Sequence, residues 1–292
     1  MTRKAPEKSE NARILAQKFF EQKLAESAID VETAELCALT PVTADEFTQY
    51  FNLSNPSAGV LIPYFDLEGR VCGNFFRLRR IPPHKPKYVQ PSDSSNHAYL
   101  PPFMDWKAIA EDPNQPIYIT EGEFKAIKGC QEQFAVVGLG GVWSFRSDRA
   151  TTQLVAELEE FVWAGRTVYI AYDSDAVGKP QVAQAENALC RLLTAKGATP
   201  SVLRLPDLRG LSKTGLDDFL SARGPEGLVE ITAEAIPFKR AEALLEMNEE
   251  VVYIKDPGLI VEVKTAQCIF CLRNLRFTYC VAIVGNIHRA YA

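Results

Sequence analysis

Between Pro116 and Leu205 the sequence alternates short apolar runs with amphipathic stretches. The runs PIYIT, FAVVGL, TVYIAYD and PSVLRL read as strands, and EFKAIKGCQEQ, ATTQLVAELEEFVWAG and KPQVAQAENALCRLLTAKG between them read as helices. Strands separated by helices at this spacing need right-handed crossovers, which build a largely parallel sheet covered on both faces. An open α/β domain is therefore expected over residues 114–222. In such sheets ligands sit beyond the carboxyl ends of the strands, so the residue after each strand is the first place to look for a site.

Those positions are acidic. Glu121 follows IYIT, and Asp173 and Asp175 follow VYIAY. An acid after a strand can simply cap the next helix, but three of them repel one another unless a cation compensates. Mg²⁺ (or Mn²⁺) prefers hard oxygen ligands and keeps several waters, so one or two carboxylates plus substrate phosphates suffice. Two accessory features lie nearby. The turn Val137 to Trp143, with Gly140 and Gly141, either lets backbone approach a phosphate or simply turns tightly. The run Lys213-Thr214-Gly215-Leu216-Asp217-Asp218 offers two acids, one expected to cap a helix and the other left open between capping and the acidic centre.

Upstream, residues 9–28 read as an amphipathic helix, and VETAELCAL and TADEFTQYF as two short helices, the second with capping-box spacing from Thr43 to Glu46. Residues 59–80 read as a hairpin turning at Leu67-Glu68-Gly69, and the Pro- and Ser-rich stretch after it as an exposed loop anchored at Tyr88 and Tyr99. Arg70, Arg77, Arg79, Arg80, Lys85 and Lys87 fall between Arg70 and Ser92 together with His84 and without any acid. With Tyr64, Phe65, Phe75, Phe76 and Tyr88 interleaved, this is either a phosphate-binding, base-stacking surface or a hairpin whose aromatics form its core.

The acidic motifs carry a family resemblance. Ile119-Thr120-Glu121-Gly122-Glu123-Phe124-Lys125-Ala126 resembles the Glu-Gly motif of Toprim domains, and Tyr172-Asp173-Ser174-Asp175 resembles their Asp-x-Asp motif, in the expected order with one βα unit between. Lys125 stands where many members carry Asp, which is similar to a divergent branch found in phage and plasmid primase-helicases. The hairpin, with Lys87-Tyr88 and AYLPP after it, is similar to the subdomain that precedes Toprim in bacterial-type primases.

The resemblance implies a Toprim, Rossmann-like domain behind a smaller α+β subdomain. It implies that Asp173 and Asp175 hold Mg²⁺, with Glu121 joining them or acting as general acid/base. Arg77, Arg79, Lys87 and Lys125 would face nucleic acid or a triphosphate. The implied activity is that of a Mg-dependent primase, a nucleotidyltransferase that uses single-stranded DNA template and nucleoside triphosphates in replication of a mobile element, with a replicative helicase as a candidate partner. A Toprim nuclease and a non-catalytic DNA-binding or helicase-recruiting module are the alternatives.

The expected division is 1–57 helical, 58–113 basic α+β, 114–222 catalytic, and 223–292 a helical and hairpin extension whose last segment suggests a truncated further domain. A net charge of −5 argues against a surface coated by nucleic acid but allows a local basic groove. No P-loop appears, which argues against an autonomous ATPase. The charged N-terminus has no signal-peptide core and no run is long and apolar enough to span a membrane, so a cytoplasmic location without membrane partners is expected. Seven cysteines are scattered without a disulfide framework. Cys268, Cys271, Cys280 and His288 lie in largely apolar text, so zinc is not expected there.

Overall fold

The fold was analysed in a computed structural model. It describes residues 5–51, 55–92, 94–147, 153–208 and 210–238, and beyond these the strand segments 251–253, 260–264, 267–268, 280–284 and 287–291, without the side chains of the latter.

The chain opens with α1 (Ala5–Glu26), α2 (Val31–Leu36), β1 (Thr40–Val42) and α3 (Ala44–Tyr50). The Thr43 and Glu46 side chains each bond the other's backbone N–H, forming the expected capping box. The hairpin is β2 (Gly59–Phe65) and β3 (Val71–Arg80), and β4 (Tyr88–Val89) adds to its far edge. Together with β1 they form a four-stranded antiparallel sheet in the order β1-β2-β3-β4. The β1 strand carries no sequence signal of its own, being three residues between two helices.

Next come β5 (Ala98–Tyr99), α4 (Trp106–Glu111), β6 (Ile117–Glu121), α5 (Glu123–Gln131), β7 (Val136–Leu139), α6 (Ala156–Glu159), β8 (Thr167–Ile170), α7 (Pro180–Ala195), β9 (Thr199–Val202), α8 (Leu216–Ala233) and β10 (Ile236–Pro237). Their sheet runs β10-β9-β8-β6-β7-β5, with β9, β8, β6 and β7 parallel and an antiparallel strand at each edge. This is the α/β arrangement expected from the alternation, with Tyr88 and Tyr99 anchoring the ends of the Pro-rich stretch as strands.

The helix expected over residues 150–165 is not formed as such. Among the described residues only Ala156–Glu159 is helical. A longer helix would pair the Leu158 carbonyl with the Val162 N–H. The Trp163 indole takes that carbonyl instead at 2.8 Å, and Val162 donates to Ala110 O at 2.9 Å. The aromatic stack of Phe161 and Trp163 thus pins the segment to α4, and Gly165, at φ +80°, turns it into β8.

The main apolar core runs from Leu24 to Phe238 and includes residues of α1, both sheets and α8, and a smaller one gathers Val42, Phe47, Phe51 and Leu78 beside α3. Within α8, Gly224 adopts φ +69° before Pro225, so this element is two helices joined at a kink. The hairpin expected after residue 250 is present as Val251–Tyr253 against Ile260–Lys264. Cys271 lies outside the described residues, as do the side chains of Cys268, Cys280 and His288.

Candidate active site

The carboxyl ends of β6 and β8 open into a cavity of about 650 Å³, closed on its other sides by α1, the β3-β4 edge and the loop before α8. Glu121 ends β6. The next residue, Gly122, has φ +107°, a conformation that disfavours any other residue, and its N–H continues the sheet ladder to Leu139 O at 2.8 Å. The Glu-Gly pair is therefore a backbone requirement: the strand must turn sharply for α5 to start beside Glu121.

Asp173 stands just past β8 and is buried. Lys125 of α5 donates to its Oδ1 and Lys213 to its Oδ2, so both carboxylate oxygens face an ammonium group. Burial alone would raise the Asp173 carboxyl, but the two lysines outweigh it and hold it below the usual carboxylate range. Lys213 is affected reciprocally. Burial lowers its pKa, the bond and charge of Asp173 with the charges of Asp175 and Glu121 raise it, and the net direction is upward. The three acids named from the sequence therefore act electrostatically on one ammonium group.

The loop carrying Lys213 is fixed against the Asp173 turn. Ser174 N–H donates to Thr214 O at 2.9 Å, and Thr214 N–H donates to Ser174 Oγ at 2.9 Å. Asp218 accepts from Gly215 N–H at 2.8 Å and caps α8. Its carboxyl is raised by burial and by the neighbouring Asp217, against the Gly215 bond. Asp217 accepts from Ser27 Oγ at 2.8 Å, tying α8 to the end of α1.

Of the remaining expected residues, Gly140, Lys87 and Arg77 line the cavity. Asp175 pairs with Lys179 at 2.6 Å and contributes its charge rather than a cavity wall. Gly141 does not line the cavity. Gly140 has no room for a side chain, since a Cβ there would lie 2.8 Å from Arg77 Nη1.

The basic run on the hairpin is not the solvated surface that its composition suggests. Arg77, Arg79 and Arg80 are all buried. Arg77 pairs with Glu123, itself fully buried and bonded to Tyr64 Oη at 2.7 Å. Arg79 stacks on Tyr88 and Phe19 and donates to Arg80 O. Arg80 donates to Ser57 Oγ and to the carbonyls of Lys85 and Asn55. Tyr64, Phe65 and Phe75 belong to the core, so they are not free to stack on bases. Of this basic run, Arg77 and the half-buried Lys87 line the cavity, and at Lys87 burial and then Arg79, Lys213, Lys23 and Lys125 push the pKa down.

Sequence reasoning missed Glu123, Lys23 and Glu26. Glu123 lies inside the Glu-Gly-Glu run, but nothing in the sequence indicated that Arg77 would meet it. The acids Glu26, Glu121, Glu123, Asp173, Asp217 and Asp218 line the cavity beside Lys23, Arg77, Lys87, Lys125 and Lys213. Such near-balance suits a ligand with both signs, a cation bound to phosphates, better than either alone. The oxygen donors fit a hard divalent cation, with the two ammonium groups on Asp173 standing in for its charge.

Residues 105–227 match the model of a domain of unknown function, DUF3854. No curated protein matches the chain in sequence. Three primase structures are similar. The Aquifex aeolicus primase, covering its zinc-binding and RNA polymerase domains, is 21% identical with a TM-score of 0.54, over 77% of this chain and 57% of that one. The E. coli primase catalytic core is 18% identical at 0.54, over 80% and 79%. A DNA primase domain from Pseudomonas aeruginosa is 16% identical at 0.55, over 78% and 76%. This chain thus spans little more than half the length of the Aquifex structure. The mixed α/β sheet, its antiparallel neighbour and their order along the chain constitute the fold of bacterial primase catalytic cores.

Proposed function

We propose that this chain is the core of a metal-dependent primase that joins nucleotides on a single-stranded DNA template. The observation that carries the reading is the cavity on a primase-type fold, in which Glu121 and Asp173 face Lys87, Lys125 and Lys213. A primase needs carboxylates to hold a divalent cation and cations to hold triphosphate, at the same place.

The division of labour follows the sheets. Residues 114–222 supply the acids, and residues 58–113 supply Lys87 and the wall that orients template and nucleotide. Glu121 and Asp173, with Asp175 as an added negative charge, would hold Mg²⁺ or Mn²⁺. The bound ion would neutralise triphosphate charge and favour attack by a 3′-hydroxyl. With a cation held by Asp173, Lys125 and Lys213 would be free to bind phosphate oxygens instead. Alternatively, Glu121 would leave the ion to the aspartates and accept the hydroxyl proton as general base. The Lys125 variation within the Glu-Gly motif supports assignment to the phage and plasmid type, acting in replication of a mobile element beside a helicase.

The test incubates the full chain with single-stranded DNA, labelled NTPs or dNTPs and Mg²⁺ or Mn²⁺, beside Asp173→Ala. New oligonucleotides that disappear in the variant support the reading. Shortening of the DNA would replace it with a nuclease. DNA binding without either reaction, unaffected by Asp173→Ala or by chelation, would overturn catalysis altogether.

A further inference from the structure

Away from the acidic cavity, three potential metal ligands from separate elements converge. Cys72 lies on β3, His97 just before β5, and Glu157 in α6, and their ligand atoms all lie within 4.8 Å of one another. None of the three lines the cavity around Asp173. The geometry is constrained on each side. His97 Nδ1 is 2.5 Å from Glu157 Oε1, while Glu157 Oε2 accepts from Ala98 N–H at 3.2 Å. The Phe75 ring packs on the imidazole with centroids 4.3 Å apart. Glu157 is buried, whereas Cys72 and His97 are partly open to solvent.

We propose that Cys72, His97 and Glu157 bind one zinc ion that clamps the hairpin sheet to the α/β unit. The donor set of one thiolate, one imidazole and one carboxylate is the borderline-soft combination zinc takes, and it is wrong for Mg²⁺. Three protein ligands leave the fourth tetrahedral position for water, on the partly open side.

The other chemistry available to a Cys-His-Glu group is nucleophilic catalysis, which needs a thiol easily ionised. Here His97 directs Nδ1 to Glu157 Oε1, and among the described residues no hydrogen bond joins the Cys72 thiol to the imidazole. On zinc binding the Cys72 S–H would lose its proton to solvent as the sulfur–zinc bond forms. The expectation against zinc was drawn from the C-terminal cysteines alone. This trio is dispersed along the chain and has no motif spacing to betray it.

The experiment measures zinc per chain by mass spectrometry in the full-length protein after dialysis without chelator, then records the cobalt(II)-exchanged form. One equivalent of zinc and a sulfur-to-cobalt charge-transfer band are expected. Cys72→Ser should abolish the band and weaken zinc binding at least about tenfold. Glu157→Gln, which keeps an acceptor for Ala98 N–H, should weaken binding similarly, and it serves if Cys72→Ser fails to fold by circular dichroism. Asp173→Asn and Cys271→Ser should leave both readouts unchanged. Wild-type protein without zinc or the cobalt band, or zinc lost in Cys271→Ser but kept in Cys72→Ser, would overturn the site.

Discussion

Lys125 places its ammonium group on Asp173 Oδ1, bridging the start of α5 to the end of β8, while Lys213 occupies Oδ2. Lys125, the residue that departs from the Glu-Gly motif this sequence resembles, is thus a counter-ion for the buried Asp173 carboxylate. Removing Lys125 leaves a buried carboxylate half-compensated. We expect Lys125→Ala to lose about 1–3 kcal/mol of stability without divalent cations, and Mg²⁺ to restore part of that loss. Urea unfolding with and without Mg²⁺ measures both. A loss that Mg²⁺ leaves untouched would mean that the acids share no cation site.

The same two lysines set a pH dependence. Because the folded Asp173 carboxyl lies below its ordinary value, its contribution to stability is fully present above the ordinary carboxylate range and is lost as pH falls through the depressed value. Asp218 works in the opposite sense. Its raised pKa gives a contribution present below the unfolded value and lost as pH rises through the folded one. In metal-free buffer, Asp173→Asn should flatten the acid-side fall in the urea midpoint, and Asp218→Asn should steepen it. Parallel acid limbs for all three proteins would contradict the pairing.

Arg77 of β3 and Glu123 of α5 join the hairpin sheet to the α/β unit through a buried ion pair, with Tyr64 as the second donor to the carboxylate. Deleting one partner strands the other charge. Arg77→Met should cost about 3–5 kcal/mol. Adding Glu123→Gln should recover much of it, since an amide needs no counter-charge. A double-mutant cycle by denaturant unfolding gives the coupling, and additive losses would show that the pair is not coupled.

Gly140 and Gly141 look alike in sequence but differ in surroundings. A Cβ at 140 would press on the Arg77 guanidinium, whereas one at 141 meets only Ser144 Oγ at 3.6 Å. Gly140→Ala should destabilise by about 1–3 kcal/mol through displacement of Arg77, and Gly141→Ala should stay within about 0.5 kcal/mol. Thermal unfolding of the two variants separates close approach from generic turn flexibility.

The legible parts of this chain were those written in local periodicity. The strands of the parallel sheet, α5, α7 and the Thr43 capping box follow from apolar spacing and turn chemistry, and the acids at the strand ends follow from the α/β rule. What the sequence concealed depends on long-range contacts. Arg77 is buried because Glu123 of α5 meets it across the interface, with Tyr64 of the neighbouring strand β2 bonded to the same carboxylate, and a run of arginines reads the same whether paired or solvated. The helix expected over residues 150–165 ends early because the Trp163 indole captures Leu158 O, a tertiary bond that helical periodicity does not encode. Ser27, in turn, reaches Asp217 only once α1 has docked.

Under the proposed function Lys87, which follows the hairpin, would contact the ligand's phosphates. Its ammonium shares the cavity with Lys125 and Lys213, and burial with the surrounding cations already disfavours its charge. A polyphosphate or DNA backbone entering the cavity would relieve that repulsion, so Lys87 should bind phosphate more strongly than an exposed lysine does. Lys87→Ala should weaken single-stranded DNA or triphosphate binding and reduce the slope of log affinity against log salt by about one. Arg79→Met should leave that slope unchanged, because its guanidinium is stacked on Tyr88 and Phe19 and does not line the cavity. Fluorescence anisotropy titrations over a range of salt distinguish the two. Equal slopes for wild type and Lys87→Ala would remove the hairpin from the binding surface.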